Sequence, residues 1–84
     1  MTKLVYFAWV RERVGKPDET VDLPGSITTV AALLDWQKTR GEEYAYAFEH
    51  ASVIRVALDK THAQHDAALG DAREIAFFPP MTGG

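Results

Sequence analysis

The sequence predicts an α+β roll, a mixed sheet with a helix packed on one face. Two strand-like runs support this, and they lie at opposite ends of the chain: residues 3–9 (KLVYFAW) and residues 74–78 (EIAFF). Between them sits one amphipathic segment, TTVAALLDWQKTRG. Both runs look central, so the two chain ends must pair side by side, in parallel, with a helix crossing one sheet face between them.

Taken in order, residues 3–9 are rich in strand-favouring side chains on both parities, which suits a strand covered on both faces. Residues 10–14 fit a short helical turn closed by Gly15, and Lys16, Pro17 and Asp18 form a turn. Residues 19–23 (ETVDL) alternate, with Val21 and Leu23 inward, and pair with the first strand as a hairpin that ends at Pro24 and Gly25. In the central segment Thr28 is the expected N-cap. Val30, Leu33, Leu34 and Gln37 fall at helical spacing, three of the four apolar. Lys38 and Arg40 suit the helix C-terminus, and Gly41 suits the left-handed position beyond it. A shorter helix follows, with Tyr44, Ala47 and Phe48 on its apolar face.

Residues 53–58 (VIRVAL) read as a strand with Ile54, Val56 and Leu58 inward, and Arg55 marks the wetter side. The polar run DKTHAQHD leaves room for a short edge strand, and residues 67–69 read as one helical turn. This order is that of a β-grasp, or ubiquitin-like, sheet. Residues 1–79 form the domain and residues 80–84 a flexible tail.

Composition narrows the function. The chain is 46% hydrophobic and 25% charged, which is ordinary globular usage and argues against disorder throughout. Its nine basic residues form no run and the net charge is −3, so no nucleic-acid partner is expected. No apolar stretch suits a membrane span, and the expected location is the cytoplasm. Cysteine is absent, which excludes a cysteine nucleophile or thiolate metal site. His62 and His65, with Asp59 and Asp66 nearby, are too few and too turn-like for a zinc site, and no metal is expected. His50 reads as exposed, and Asp18, Glu19, Glu42 and Glu43 read as surface or helix-start acids. Trp9 and Trp36 fit either core or rim.

The chain closes with AFFPPMTGG. Pro79 and Pro80 lack a backbone N–H, so ladder pairing must stop there, and their fixed φ favours a stiff extended exit. From Pro80 an extended chain reaches about 16 Å, at about 3.3 Å per residue. Met81, Thr82, Gly83 and Gly84 have little to bury and form the tip. Glycine lets a backbone pass through a narrow channel in any conformation that the channel imposes. Parity places Phe7 with Lys3 and Phe78 with Glu74 on the outer sheet face, as a binding patch or as a surface covered by a loop.

YFA followed by VRE at residues 6–8 and 10–12, the central TVAALL and the terminal EIAFFPPMTGG resemble the MoaD/ThiS family of ubiquitin-like sulfur carriers, in its branch of molybdopterin synthase small subunits. The resemblance covers nearly the whole chain. It implies that an ATP-using, E1-like adenylyltransferase adenylates the Gly84 carboxylate. A sulfurtransferase or cysteine desulfurase then supplies sulfur to give a thiocarboxylate. It implies a heterotetramer of two small and two large subunits, in which the tail enters the large subunit and delivers sulfur to cyclic pyranopterin monophosphate.

By the same resemblance Gly84 carries the sulfur. Gly83, Thr82 and Met81 line the inserted tail, Pro79 and Pro80 direct it, and Phe7, Arg11 and Phe78 meet the partner. No cofactor is bound tightly, and the chain is a non-catalytic donor subunit of a two-protein transferase. The sequence departs from many relatives at Leu58-Asp59, at His62, and at Ala72 and Arg73, where a left-handed Ala72 would be strained. The alternatives are a carrier for thiamine synthesis or protein modification, and a plain binding module.

Overall fold

The computed structural model describes residues 1–80. Its elements are β1 (Thr2–Tyr6), α1 (Ala8–Val14), β2 (Asp18–Val21), α2 (Val30–Lys38), α3 (Glu42–Ala47), a 3-10 turn at Ala51–Val53, β3 (Arg55–Leu58), β4 (Thr61–Ala63) and β5 (Glu74–Phe78). The strands form one sheet in the order β2-β1-β5-β3-β4. β1 and β5 are parallel, with Leu4 opposite Ile75 and Tyr6 opposite Phe77. The other neighbouring pairs are antiparallel. This mixed sheet with helices on one face is the β-grasp arrangement, and the two ends of the domain meet at its centre.

The inner face supplies Leu4, Tyr6, Val56, Ile75 and Phe77 to the core. Val10 and Val14 of α1, Val30, Leu33 and Leu34 of α2, and Tyr44 and Ala47 of α3 close over them. Full burial of each large apolar side chain contributes about 1.5–3 kcal/mol. The Tyr6 and Phe77 rings stack at 5.6 Å between centroids, and Phe48 meets Phe77 edge-on at 5.3 Å. These contacts clamp β1, β5 and the segment after α3 together.

Several boundaries differ from expectation, each for a local reason. The first strand stops at Tyr6, short of Trp9, because the Phe7 carbonyl accepts N–H bonds from Val10 and Arg11 and starts α1. Val10 and Val14, one turn apart, are both buried, so an apolar run that fits strand and helix alike is divided between them. Gly15 ends α1 at φ 91, as expected. The second strand covers Asp18–Val21, and Leu23 packs half-buried beyond the ladder.

The N-cap of α2 is Thr29, one residue later than expected; its hydroxyl accepts the Ala32 N–H at 3.1 Å. Gly41 caps the start of α3 at φ 154 instead of ending α2, and a Cβ there would collide with the Glu43 carboxylate. Val53 belongs to the 3-10 turn, so β3 begins at Arg55. Residues 67–69 form no helical turn, because Ala68 makes an antiparallel bridge to Thr29.

Ala72 escapes the strain expected of it. Gly70 takes the left-handed conformation in that loop, at φ 57. Asp59 and Lys60, at φ 49 and 72, form the two-residue turn between β3 and β4, a tight hairpin in which aspartate tolerates positive φ. The Asp59 carboxylate also accepts the Arg73 and Glu74 N–H groups, both at 3.0 Å. That ties the hairpin to the start of β5.

Glu19 is no surface acid. Its carboxylate takes both nitrogens of Arg40 at 2.9 Å and the hydroxyls of Tyr6 and Tyr44 at 2.7 and 2.8 Å. Buried Gln37, at the fourth position of the helical stripe, donates to the Tyr6 oxygen and accepts from Arg40. Burial works to raise the Glu19 carboxyl, but the hydrogen bonds from Arg40, Tyr6 and Tyr44 outweigh it and lower it from 4.5 to about 2. Burial, together with the bond to Glu19, pushes the Tyr6 hydroxyl far upward. The cluster pins edge strand β2 to α2 and α3.

Because the Glu19 carboxyl is lowered in the fold, its stabilisation is complete above about pH 4.5 and drains as pH falls towards 2. Glu19→Gln should cost about 2 kcal/mol at pH 7. It should also flatten the acid side of the stability profile. Urea unfolding of both chains between pH 2 and pH 7 checks this; identical profiles would remove Glu19 as the hub.

Candidate functional site

All three helices cover the inner face, which leaves the other face of the sheet open. Lys3 and Val5 of β1, Glu74, Ala76 and Phe78 of β5, and Arg55 and Ala57 of β3 alternate onto it by register. Small Ala76 and Ala57 pair at its middle, with Phe78 opposite Arg55 at one end. The Lys3↔Glu74 pair marks the opposite end.

Phe7 stands beside this end of the sheet. Although it is the N-cap of α1, its backbone is extended, and its N–H continues the ladder to the Phe77 carbonyl at 3.0 Å. It therefore keeps the parity of Lys3 and Val5, one step beyond the Tyr6↔Phe77 pair and next to Phe78. Phe7 is 49% exposed, a large apolar side chain left open to solvent, and Phe78 is half-buried. Arg11 lies one helical turn after Phe7 and is exposed. Pro79 and Pro80 continue directly from Phe78 and are half-buried. Met81, Thr82, Gly83 and Gly84 lie outside the described residues.

The joint between Phe7 and α1 is strained. Ala8 has φ 52, in the left-handed region that side chains with a Cβ rarely adopt. That twist lets the chain leave the ladder at Phe7 and enter α1 without a loop. Behind it, Arg13 stacks on Trp9 and Tyr46, 4.6 and 4.1 Å from the ring centres, and props α1 against α3. Trp9 and Trp36 are both half-buried rim residues, and Arg40 lies over Trp36 at 4.8 Å.

An open cavity of about 470 Å³ lies between the 3-10 turn, β3, β4 and Pro80; Arg55, His62 and His65 line it. The His65 ring bonds the Ile54 carbonyl at 2.8 Å. Sequence reasoning placed Arg55 on the open face but did not bring the two histidines to it. Among the described residues no group of three or more His, Cys, Asp or Glu side chains could hold a metal ion. None of the helices described is long and apolar enough to cross a membrane. What these residues form is an open sheet face with Phe7, Phe78 and Arg11 at the end where Pro79 and Pro80 follow β5.

The sequence pattern of the ThiS family matches residues 4–84. The chain belongs to the ThiS family. It is 36% identical over 84 residues, all of both chains, to the molybdopterin synthase sulfur carrier subunit of Escherichia coli. It is 32% identical, again over all of both chains, to the protein of that name from Haemophilus influenzae. The crystal structure of SAMP1 from Haloferax volcanii superposes with a TM-score of 0.70 at 26% identity, covering 99% of this chain and 98% of that one.

In this ThiS-family domain the strain at Ala8 is removable. Ala8→Gly should raise stability by about 1 kcal/mol, since glycine adopts positive φ without the Cβ clash. A higher urea midpoint at unchanged slope is the expected readout. A lower midpoint would mean that Ala8 is unstrained.

Proposed function

We propose that the chain is the sulfur-carrying small subunit of a molybdopterin synthase. The observation that most supports this is its end-to-end likeness to two proteins named molybdopterin synthase sulfur carrier subunit. The geometry agrees with it: exposed Phe7 and half-buried Phe78 lie beside the point where the last strand hands over to Pro79 and Pro80.

The chemistry belongs to Gly84. Its carboxylate is a poor electrophile. An E1-like enzyme activates it when a carboxylate oxygen attacks the α-phosphorus of ATP and expels pyrophosphate. The terminal sulfur of a persulfide on a sulfurtransferase or cysteine desulfurase displaces AMP to give an acyl disulfide. A thiol then cleaves its S–S bond, leaving the thiocarboxylate and a disulfide. Thiocarboxylate sulfur is a capable nucleophile without a neighbouring base, so general acids and bases come from the large subunit. The sulfur forms a C–S bond to the side chain of cyclic pyranopterin monophosphate as a C–O bond of that carbon breaks, its oxygen leaving with the phosphate or as water. Water then hydrolyses the resulting thioester, which keeps the sulfur on the substrate and returns Gly84 as its carboxylate. Two such deliveries build the dithiolene, which fits an assembly of two small and two large subunits. Gly83 and Gly84 give the end of the tail a backbone thin enough for a narrow channel.

Ordering the tail in that channel costs about 1–2 kcal/mol per residue. Contacts at Phe7, Phe78 and Arg11 offset this loss. Reconstitution with a molybdopterin synthase large subunit and cyclic pyranopterin monophosphate tests the reading, and the thiocarboxylated chain should yield molybdopterin. Phe78→Lys should weaken association with the large subunit by about 2 kcal/mol or more, measured by titration calorimetry. Undiminished binding would remove the open face from the interface.

A further inference from the structure

The cavity at the root of the tail has a character that the rest of the chain does not share. The protein carries a net charge of −3, yet none of the residues lining this cavity is acidic, and three are Arg55, His62 and His65. Arg55 is exposed on the open face and has no ion-pair partner among the described residues. Every other arginine side chain with a described polar contact, Arg13 and Arg40, meets a glutamate. The cavity thus gathers an unpaired guanidinium and two imidazoles, groups able to donate hydrogen bonds to an anion, with no carboxylate among its lining residues to compete.

We propose that this cavity is an anion subsite that takes the phosphate group of a small molecule. Arg55 supplies a planar fork of donors that matches phosphate oxygens. His65 is held in place by its bond to the Ile54 carbonyl, so its ring stands on the wall before any ligand arrives. His62 approaches from β4, and Gln64 and Ser52 add neutral polar groups on the rim. The volume, about 470 Å³, exceeds a bare phosphate and falls within the range of small-ligand pockets. It therefore accommodates a phosphomonoester with an organic body. Pro80 forms part of the wall, so the ligand sits where the chain leaves the sheet.

The proposal rests on this cavity alone and holds whether or not Gly84 carries sulfur. Amide and histidine-ring NMR spectra of the full chain, titrated with inorganic phosphate and separately with AMP, test it. Both probes should give saturable shifts confined to residues 52–55 and 62–65. Tighter binding of AMP assigns the site to a phosphomonoester, and equal binding assigns it to free phosphate. Sodium chloride at matched ionic strength should give no saturable response. Arg55→Gln, a change at an exposed position, should weaken binding at least about fivefold, as expected for loss of a charge-assisted donor fork. Absence of saturable shifts at the cavity with both probes, or unchanged affinity in a folded Arg55→Gln chain, overturns the proposal.

Discussion

The parallel pairing of β1 with β5 is the constraint on which the rest of the molecule turns. It joins residues about seventy positions apart in sequence, Leu4 to Ile75 and Tyr6 to Phe77. Parallel neighbours require a crossover, and the helical segment between β2 and β3 supplies it. With β1 on one side and β3 on the other, β5 becomes an interior strand. Whatever follows Phe78 thus starts from a well-anchored part of the sheet. Two prolines at that point end the ladder without loosening the strand.

The same pairing sorts the two faces. Alternation along β5 sends Ile75 and Phe77 into the core and leaves Glu74, Ala76 and Phe78 on the other side. The inner face is held by apolar packing and, at its edge, by the Glu19 cluster. The outer face carries small residues at its middle and aromatics at its end. The packed core and the open face thus occupy opposite sides of one sheet. The strain at Ala8 is where the two meet: β1 must turn into α1 within one residue, and that turn leaves Phe7 exposed.

Much of this was legible in the sequence. Residues 74–78 were bounded correctly because proline stops a strand by chemistry rather than by statistics. The pairing of the chain ends followed from two apolar strands that both needed neighbours. The end of the first strand is not legible, because KLVYFAW satisfies strand and helix alike and only the N–H partners of the Phe7 carbonyl divide it. Thr28 and Thr29 offer the same cap chemistry, and tertiary contacts choose between them. Glu19 is illegible for a deeper reason. Its partners Arg40 and Tyr44 lie more than twenty residues away, and nothing local distinguishes a glutamate that meets an arginine fork from one that meets water. Gln37 was the available clue, since a polar residue on an apolar stripe needs a buried partner. For the open face, parity brought Phe7, Phe78 and Arg55 together. The cavity is not legible in the sequence, because it joins a turn, two strands and a proline that sequence spacing does not relate.

The tail chemistry is tested most directly by weighing the peptide that contains Gly84, taken from protein made in its native cells. A fraction of that peptide should be heavier by the difference between one sulfur and one oxygen atom, and alkylation should trap the added sulfur at the terminal carbonyl. An unaltered carboxylate in every preparation, including one incubated with ATP, an E1-like activating enzyme and a sulfur donor, would contradict the role of this chain as a sulfur carrier.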